Sequence, residues 1–137
     1  MRIRTSKHNL RKGASSVEAA FCIPVLLLLM LGTLEICSGI FLRESLKIAT
    51  YEGARSGVRR GGTPEMVRAT VEEVLTARGV QGGQVTVEPN NFAGMEALEP
   101  ITVTVSAPSD MNSRFNFEFL LGGQISARTT MVKEFDE

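Results

Sequence analysis

The chain has 137 residues, with 15 basic and 15 acidic side chains, one histidine and two cysteines. That length carries one membrane segment and one small domain rather than two globular domains. The neutral balance is uneven, because residues 1–13 hold Arg2, Arg4, Lys7, Arg11 and Lys12 and no acid, and all fifteen acids follow; a basic head on an acidic body argues against nucleic-acid binding.

The basic head, residues 1–13, ends at a hydrophobic run. This is the pattern of a cytoplasmic N-terminus. From Ala19 to Leu34 there is no charge, and from Ala19 to Leu42 there is only Glu35. Those 24 residues exceed the ~20 that span a bilayer as a helix. Pro24 interrupts the run and frees the carbonyl of Ala20, which membrane helices tolerate when neighbours satisfy it. A secretory signal peptide shares the basic and apolar regions. Here the apolar run is long, no A-x-A follows, and helical spacing continues beyond it. The sequence therefore predicts a span that is not cut on its far side. Cys37 follows Leu34-Glu35-Ile36, which is no lipoprotein cleavage site. In one helix Cys22 and Cys37 stand roughly 22 Å apart, too far for a disulfide, and no histidine is near to make a zinc site. Both read as small packing or membrane-facing residues.

The helix continues through "RESLKIATYEGARSGVRR", residues 43–60. Leu46, Ala49, Gly53 and Gly57 fall on one face at helical spacing. The other face carries Arg43, Glu44, Lys47, Glu52, Arg55 and Arg59, and Glu52 and Arg55 can pair at i, i+3 for a few tenths of a kcal/mol. Two readings are open: an amphipathic extension packed on its own domain, or a small-residue stripe that lets other helices approach closely. The glycines weaken an isolated helix, so something should pack on it.

Residues 61–137 form the domain. "GGTPE" breaks the chain and starts a second helix over 64–78. Thr63 is placed to cap, Pro64 fits the first helical position, and Glu65 faces the positive helix end. Val67, Val71, Val74 and Leu75 form its apolar face. Gly79 suits the left-handed C-terminal cap, with Val80 in reach of Leu75. The period then changes to two in "QVTVE" (84–88), "ITVTVSA" (101–107) and "QISARTTMVK" (124–133). Ile101, Val103, Val105 and Ala107 share one face, and so do Ile125, Ala127, Thr129 and Met131. Three such strands predict a small antiparallel sheet with the helix on it. Its core is modest, so the membrane-proximal helix should supply the rest of the cover. The fold class is α+β: a long N-terminal transmembrane helix extending into a small domain of one helix and a three-stranded antiparallel sheet. "RFNFEFLLGG" (114–123) reads either as a loop folded over the core or as an exposed apolar patch for a partner subunit or the membrane surface.

The sequence holds no catalytic constellation. His8 lies in the basic head, no Ser/His/Asp or Cys/His set is recognisable, and the glycine pairs sit in turn context rather than in a phosphate loop. Glu88, Glu96 and Glu99 lack calcium-loop spacing. The expectation is a binding or structural protein, not an enzyme, with no cofactor and no metal.

"RKGASSVEAAFCIPVLLLLMLGTLEI" resembles the N-terminus of TadE-like proteins, pilin-like components of the tight-adherence (Tad, Flp-type) pilus system. The matching features are Lys12-Gly13, Val17-Glu18, Pro24 before Leu26 to Leu29, and Gly32-Thr33-Leu34-Glu35. The family's "EGAR" stands as Glu52, Gly53, Ala54 and Arg55. "ITVTVSAP" and "ISARTTMVKE" resemble the family's closing strands, so the resemblance runs over about 11–134. It implies a pilin-like fold and cleavage by a prepilin peptidase after Gly13, leaving Ala14 as the new N-terminus. It further implies an inner-membrane anchor with the domain outside the cytoplasm. The implied partners are the prepilin peptidase, other pilin and pilin-like subunits, the inner-membrane Tad assembly platform and membrane lipid. Glu18, Pro24 and Glu35 are the implied assembly residues. An unprocessed single-pass anchor with a small recognition domain, and a type II secretion minor pseudopilin, are the alternatives.

Two carboxylates have competing readings. Glu18 either sits at headgroup level, where its charge suits the helix dipole, or pairs with a neighbouring subunit's freed α-amino group. Glu35, roughly 25 Å further along, either lies at the outer interface near Arg43 or has a packing role.

Overall fold

The computed structural model describes residues 8–92, 98–115 and 123–133. The element order is α1 (His8–Val58), α2 (Pro64–Ala77), β1 (Gln84–Glu88), β2 (Pro100–Pro108), α3 (Ser109–Asn112) and β3 (Gln124–Val132). The strands form one antiparallel sheet in the order β1-β2-β3. This is the α+β architecture read from the sequence, with each predicted strand within a residue of its observed bounds. The chain divides into two compact units, residues 1–34 and 35–137.

The described residues of the first unit, from His8 onward, are helix. Its run of leucine, valine and isoleucine has no alternation and no turn signal before Gly32, so nothing in it competes with helix. Pro24 lies inside α1 without ending it. Thr33 turns its hydroxyl back onto the Leu29 carbonyl at 2.8 Å, the local bond by which a polar residue satisfies itself in an apolar helix.

The second unit is built around one sheet face. Period-two alternation sends Ile101, Val103, Val105 and Ala107 of β2 inward, and all four are fully buried. Register extends the apolar rows across the sheet: Val87 pairs Val103 and Val103 pairs Thr129, while Val85 pairs Val105 and Val105 pairs Ala127. The opposite face is polar, and its hydroxyls bond across strands, as in Thr102 with Thr130 at 2.9 Å.

Two helices cover the apolar face. Helix α2 begins and ends by the chemistry of its flanks. The Thr63 hydroxyl accepts the Met66 N–H at 3.3 Å, and Pro64 occupies the first turn, where its missing N–H costs nothing. At the other end the Val80 N–H donates to the Leu75 carbonyl and the Gly79 N–H to that of Thr76. Gly79 has φ +67°, so this is the double-bonded left-handed cap that glycine permits. Val67, Val71 and Leu75 of α2 are buried.

The second cover is the C-terminal half of α1. Leu42, Leu46, Ala49, Ala54 and Val58 belong to the same apolar cluster as Val67, Val71, Ile101 and Val103. Helix α1 ends at Val58, and its residues from Glu35 onward belong to the second compact unit. The reason is the small-residue stripe: a Cβ on Gly53 would lie 2.5 Å from a Val71 methyl, and one on Gly57 2.8 Å from a Val67 methyl. The stripe thus lets α1 approach α2 of its own domain. Thr50 of α1 and Thr129 of β3 share a 2.8 Å hydrogen bond, so the inward hydroxyls of helix and sheet satisfy each other.

Candidate functional site

The features singled out in the sequence lie along α1. Gly13 is exposed and has open space around it. Ala14 is helical, its side chain outside the described ones, and the leader bases Arg2, Arg4 and Lys7 also lie outside the described residues. Glu18 is exposed. Val17, Phe21, Ile23, Leu26 to Leu29 and Met30 are exposed as well, Phe21 by 75%. Apolar surface of this extent on a single helix is stable in hydrocarbon and not in water. The helix is long and apolar enough to cross a membrane.

Glu35 is different. It is 1% exposed, and its Oε1 accepts a short hydrogen bond from the Ser113 hydroxyl. The other oxygen, Oε2, is buried and has no hydrogen-bond partner among the described residues. Glu35 is thus packed inside the domain, whereas Arg43 is exposed. Depth along a helix follows from residue count, but the side on which the domain packs does not.

Ser113 reaches this position through the connection after β2. Ser109 donates from its N–H and its hydroxyl to the Gly123 carbonyl, at 2.9 and 2.8 Å. Asn112 donates to the carbonyls of Gln81 and Pro108 and accepts the Gln81 N–H. These bonds pin α3 to the turn between α2 and β1. Ser113 follows directly, and its hydroxyl also accepts the Phe115 N–H at 3.3 Å. Sequence reasoning did not find Ser113: a serine in a connection without periodicity carries no signal of a partner 78 positions away. Phe115 is 42% exposed. Phe117, Phe119, Leu120 and Leu121 lie outside the described residues.

The EGAR residues divide between surface and core. Gly53 and Ala54 are buried, whereas Arg55 is exposed and lies 4.0 Å from Glu52, a surface pair of small energetic weight. Elsewhere a shallow pocket lies at the start of α2, with Gly61, Thr63, Glu65, Asn90 and Phe92 on its walls. Glu65 is the one carboxylate among its described walls. Among the described residues no group of three His, Cys, Asp or Glu is placed to hold a metal ion.

No curated protein and no solved structure matches the chain. One family model does, that of TadE-like protein, over residues 13–55. The match opens on Gly13 and closes on Arg55, taking in the apolar helix, Glu18, Pro24, Glu35 and the EGAR residues. The sheet and its closing strands lie beyond it. Over residues 13–55 the chain is similar to TadE-like proteins.

Proposed function

We propose that the chain is a pilin-like, membrane-anchored subunit that assists assembly of a Tad/Flp-type adhesive pilus. A prepilin peptidase would cut after Gly13 on the cytoplasmic side and leave Ala14 as the N-terminus. The apolar helix would stay in the inner membrane, with the α+β domain outside the cytoplasm. Other pilin-like subunits and the inner-membrane assembly platform would be its protein partners. The carrying observation is the coincidence of the TadE-like match at 13–55 with the exposed apolar helix. The family points to a membrane protein associated with the Tad pilus, and the helix supplies the anchor.

Mass spectrometry of the protein extracted from membranes of cells with an active peptidase is expected to show a chain beginning at Ala14. Gly13→Ala is expected to block the cut. A wild-type chain that retains residues 1–13 would favour the unprocessed single-pass anchor instead.

Glu18 carries the second test. Exposed in an apolar stem, its carboxylate costs less near the interface than the ~2.5–3.5 kcal/mol of mid-bilayer, and an opposite charge at the same depth would offset that cost. The freed amino group of a neighbouring subunit is such a charge. Glu18→Ala is expected to insert normally but to lower the yield of sheared pilus filaments. A normal yield would leave Glu18 as a headgroup-level residue.

A further inference from the structure

The sheet has two edges, and the chain treats them differently. The edge at β1 is five residues long, bounded by Gly82-Gly83 and Pro89, and α2 lies against it. The edge at β3 is nine residues long, with no proline, no glycine and one charge, Arg128. Short strands, prolines, charges and covering elements keep a sheet edge from pairing with another chain. On β3 they are all but missing.

The register fixes which groups that edge offers. The Lys133 N–H donates to the Glu99 carbonyl, and the pairs Met131–Ile101, Thr129–Val103 and Ala127–Val105 follow in the same phase. Bonded and non-bonded pairs alternate in an antiparallel ladder. The odd-numbered residues of β3 therefore bond β2. Ser126, Arg128, Thr130 and Val132 turn their N–H and C=O groups away from it, about 6.8 Å apart at ~3.4 Å per residue. Pro100 and Pro108 of β2 agree with this phase, since they face Val132 and Gln124, where no N–H is needed. Strand β3 is last in the sheet, and all four outward residues are exposed.

Both faces of the sheet stop short here. Ile101, Val103 and Val105 of β2 are fully buried, whereas Ile125 and Met131 of β3 are only partly so. On the polar face the Arg128 Nε–H donates to the Thr104 hydroxyl at 3.3 Å. A guanidinium has further N–H groups to give, and β3 carries no acid to take them.

We propose that the outer edge of β3 pairs with an extended segment of another polypeptide. Main-chain bonds to Ser126, Arg128, Thr130 and Val132 hold it, as in strand addition to an open sheet. Its apolar side chains continue the layer of Ile125 and Met131, and an acidic one stands beside Arg128. A second copy of the chain is the poorer occupant. Laid antiparallel along its own copy over all nine residues, β3 sets Arg128 against Arg128, and like charges directly opposite destabilise a pair. The edge belongs to the folded unit alone, so neither cleavage at Gly13 nor the membrane span enters.

A photo-crosslinking residue, benzoylphenylalanine, would replace Thr130 or Val132 in the full-length protein, in cells of its own host. The expected result is an adduct with one other polypeptide, on partner residues that lie two apart for the two positions. Ser126→Pro removes an N–H that bonds nothing in β2. It should abolish both adducts while the melting temperature in detergent stays close to the parent's. Arg128→Glu leaves the backbone intact and should lower adduct yield severalfold, so it decides the matter if Ser126→Pro does not fold. No adduct, an adduct with a second copy, or partner sites that do not keep the two-residue step overturns the pairing. So does an adduct that persists in a folded Ser126→Pro or is undiminished in Arg128→Glu. Pilus yield is not read, so this pairing and the assembly role can fail separately.

Discussion

Gly53→Val is expected to destabilise the folded unit by about 3 kcal/mol, the upper end of what overpacking a core costs. A β-carbon at this position meets a Val71 methyl at 2.5 Å, with Val67 and Val103 methyls at 3.5 and 3.6 Å behind it. The side chain therefore has no direction in which to turn. Val71 is itself β-branched and has one comfortable rotamer in a helix, so the neighbour cannot yield either. On an exposed helix the loss of a glycine would gain about 1 kcal/mol in helix propensity, and the crowding decides the sign. The check is thermal unfolding of the full-length protein in detergent or nanodiscs, followed by circular dichroism. Gly53→Ala combined with Val71→Ala should cost less than the two single changes summed, because the second removes the methyl that the first strikes. If Gly53→Val were as stable as the parent, α1 would not be packed on α2 through this stripe.

Ser113→Ala is the second change with a large expected effect. It removes the donor to Glu35 and leaves both oxygens of a buried carboxyl without a bond. Stranding a buried acceptor costs about 1–3 kcal/mol, and more where the group is charged. Glu35→Met together with Ser113→Ala should recover most of the loss, because an apolar pair of similar volume often equals or exceeds the buried polar pair it replaces. The same variants separate packing from assembly. If Glu35 only packs, Glu35→Met/Ser113→Ala restores both melting temperature and pilus yield. If Glu35 is also read by another subunit, stability returns and the yield does not.

Much of this architecture was legible because it is local. Three strands announce themselves by alternation, since Ile101, Val103, Val105 and Ala107 need only the two-residue period to reach one face. Helix α2 is written in its ends, Thr63-Pro64 and Gly79, whose backbone chemistry operates within a few residues. The apolar helix is legible from composition alone. What the sequence left open was azimuth. Spacing put Leu46, Ala49, Gly53 and Gly57 on a common stripe, but whether that stripe met α2 or a foreign helix depends on contacts 10 or more positions away. The same limit left the two readings of Glu35 open, because its partner Ser113 is 78 positions distant in a connection with no period. The Gly13, Glu18 and EGAR motif residues were found by resemblance, and the family match covers them. That Gly53 and Ala54 serve the core while Glu52 and Arg55 pair on the surface is visible only with the sheet in place.

The contacts of α1 have a mechanical consequence. Within the folded unit Gly57 lies beside Ile101 and Gly53 beside Val103, so helix and central strand run in opposite directions where they meet. A tension drawn along α1 acts parallel to that seam. It must slide Leu42, Leu46, Ala49 and Val58 past the sheet together, rather than peel them off one at a time. Forced unfolding is governed by the rate of crossing such a barrier, and a barrier shared by a whole row of interlocked side chains resists more than one met in sequence. A chain whose long N-terminal helix is also a rib of its core is thereby suited to bearing a load along that helix.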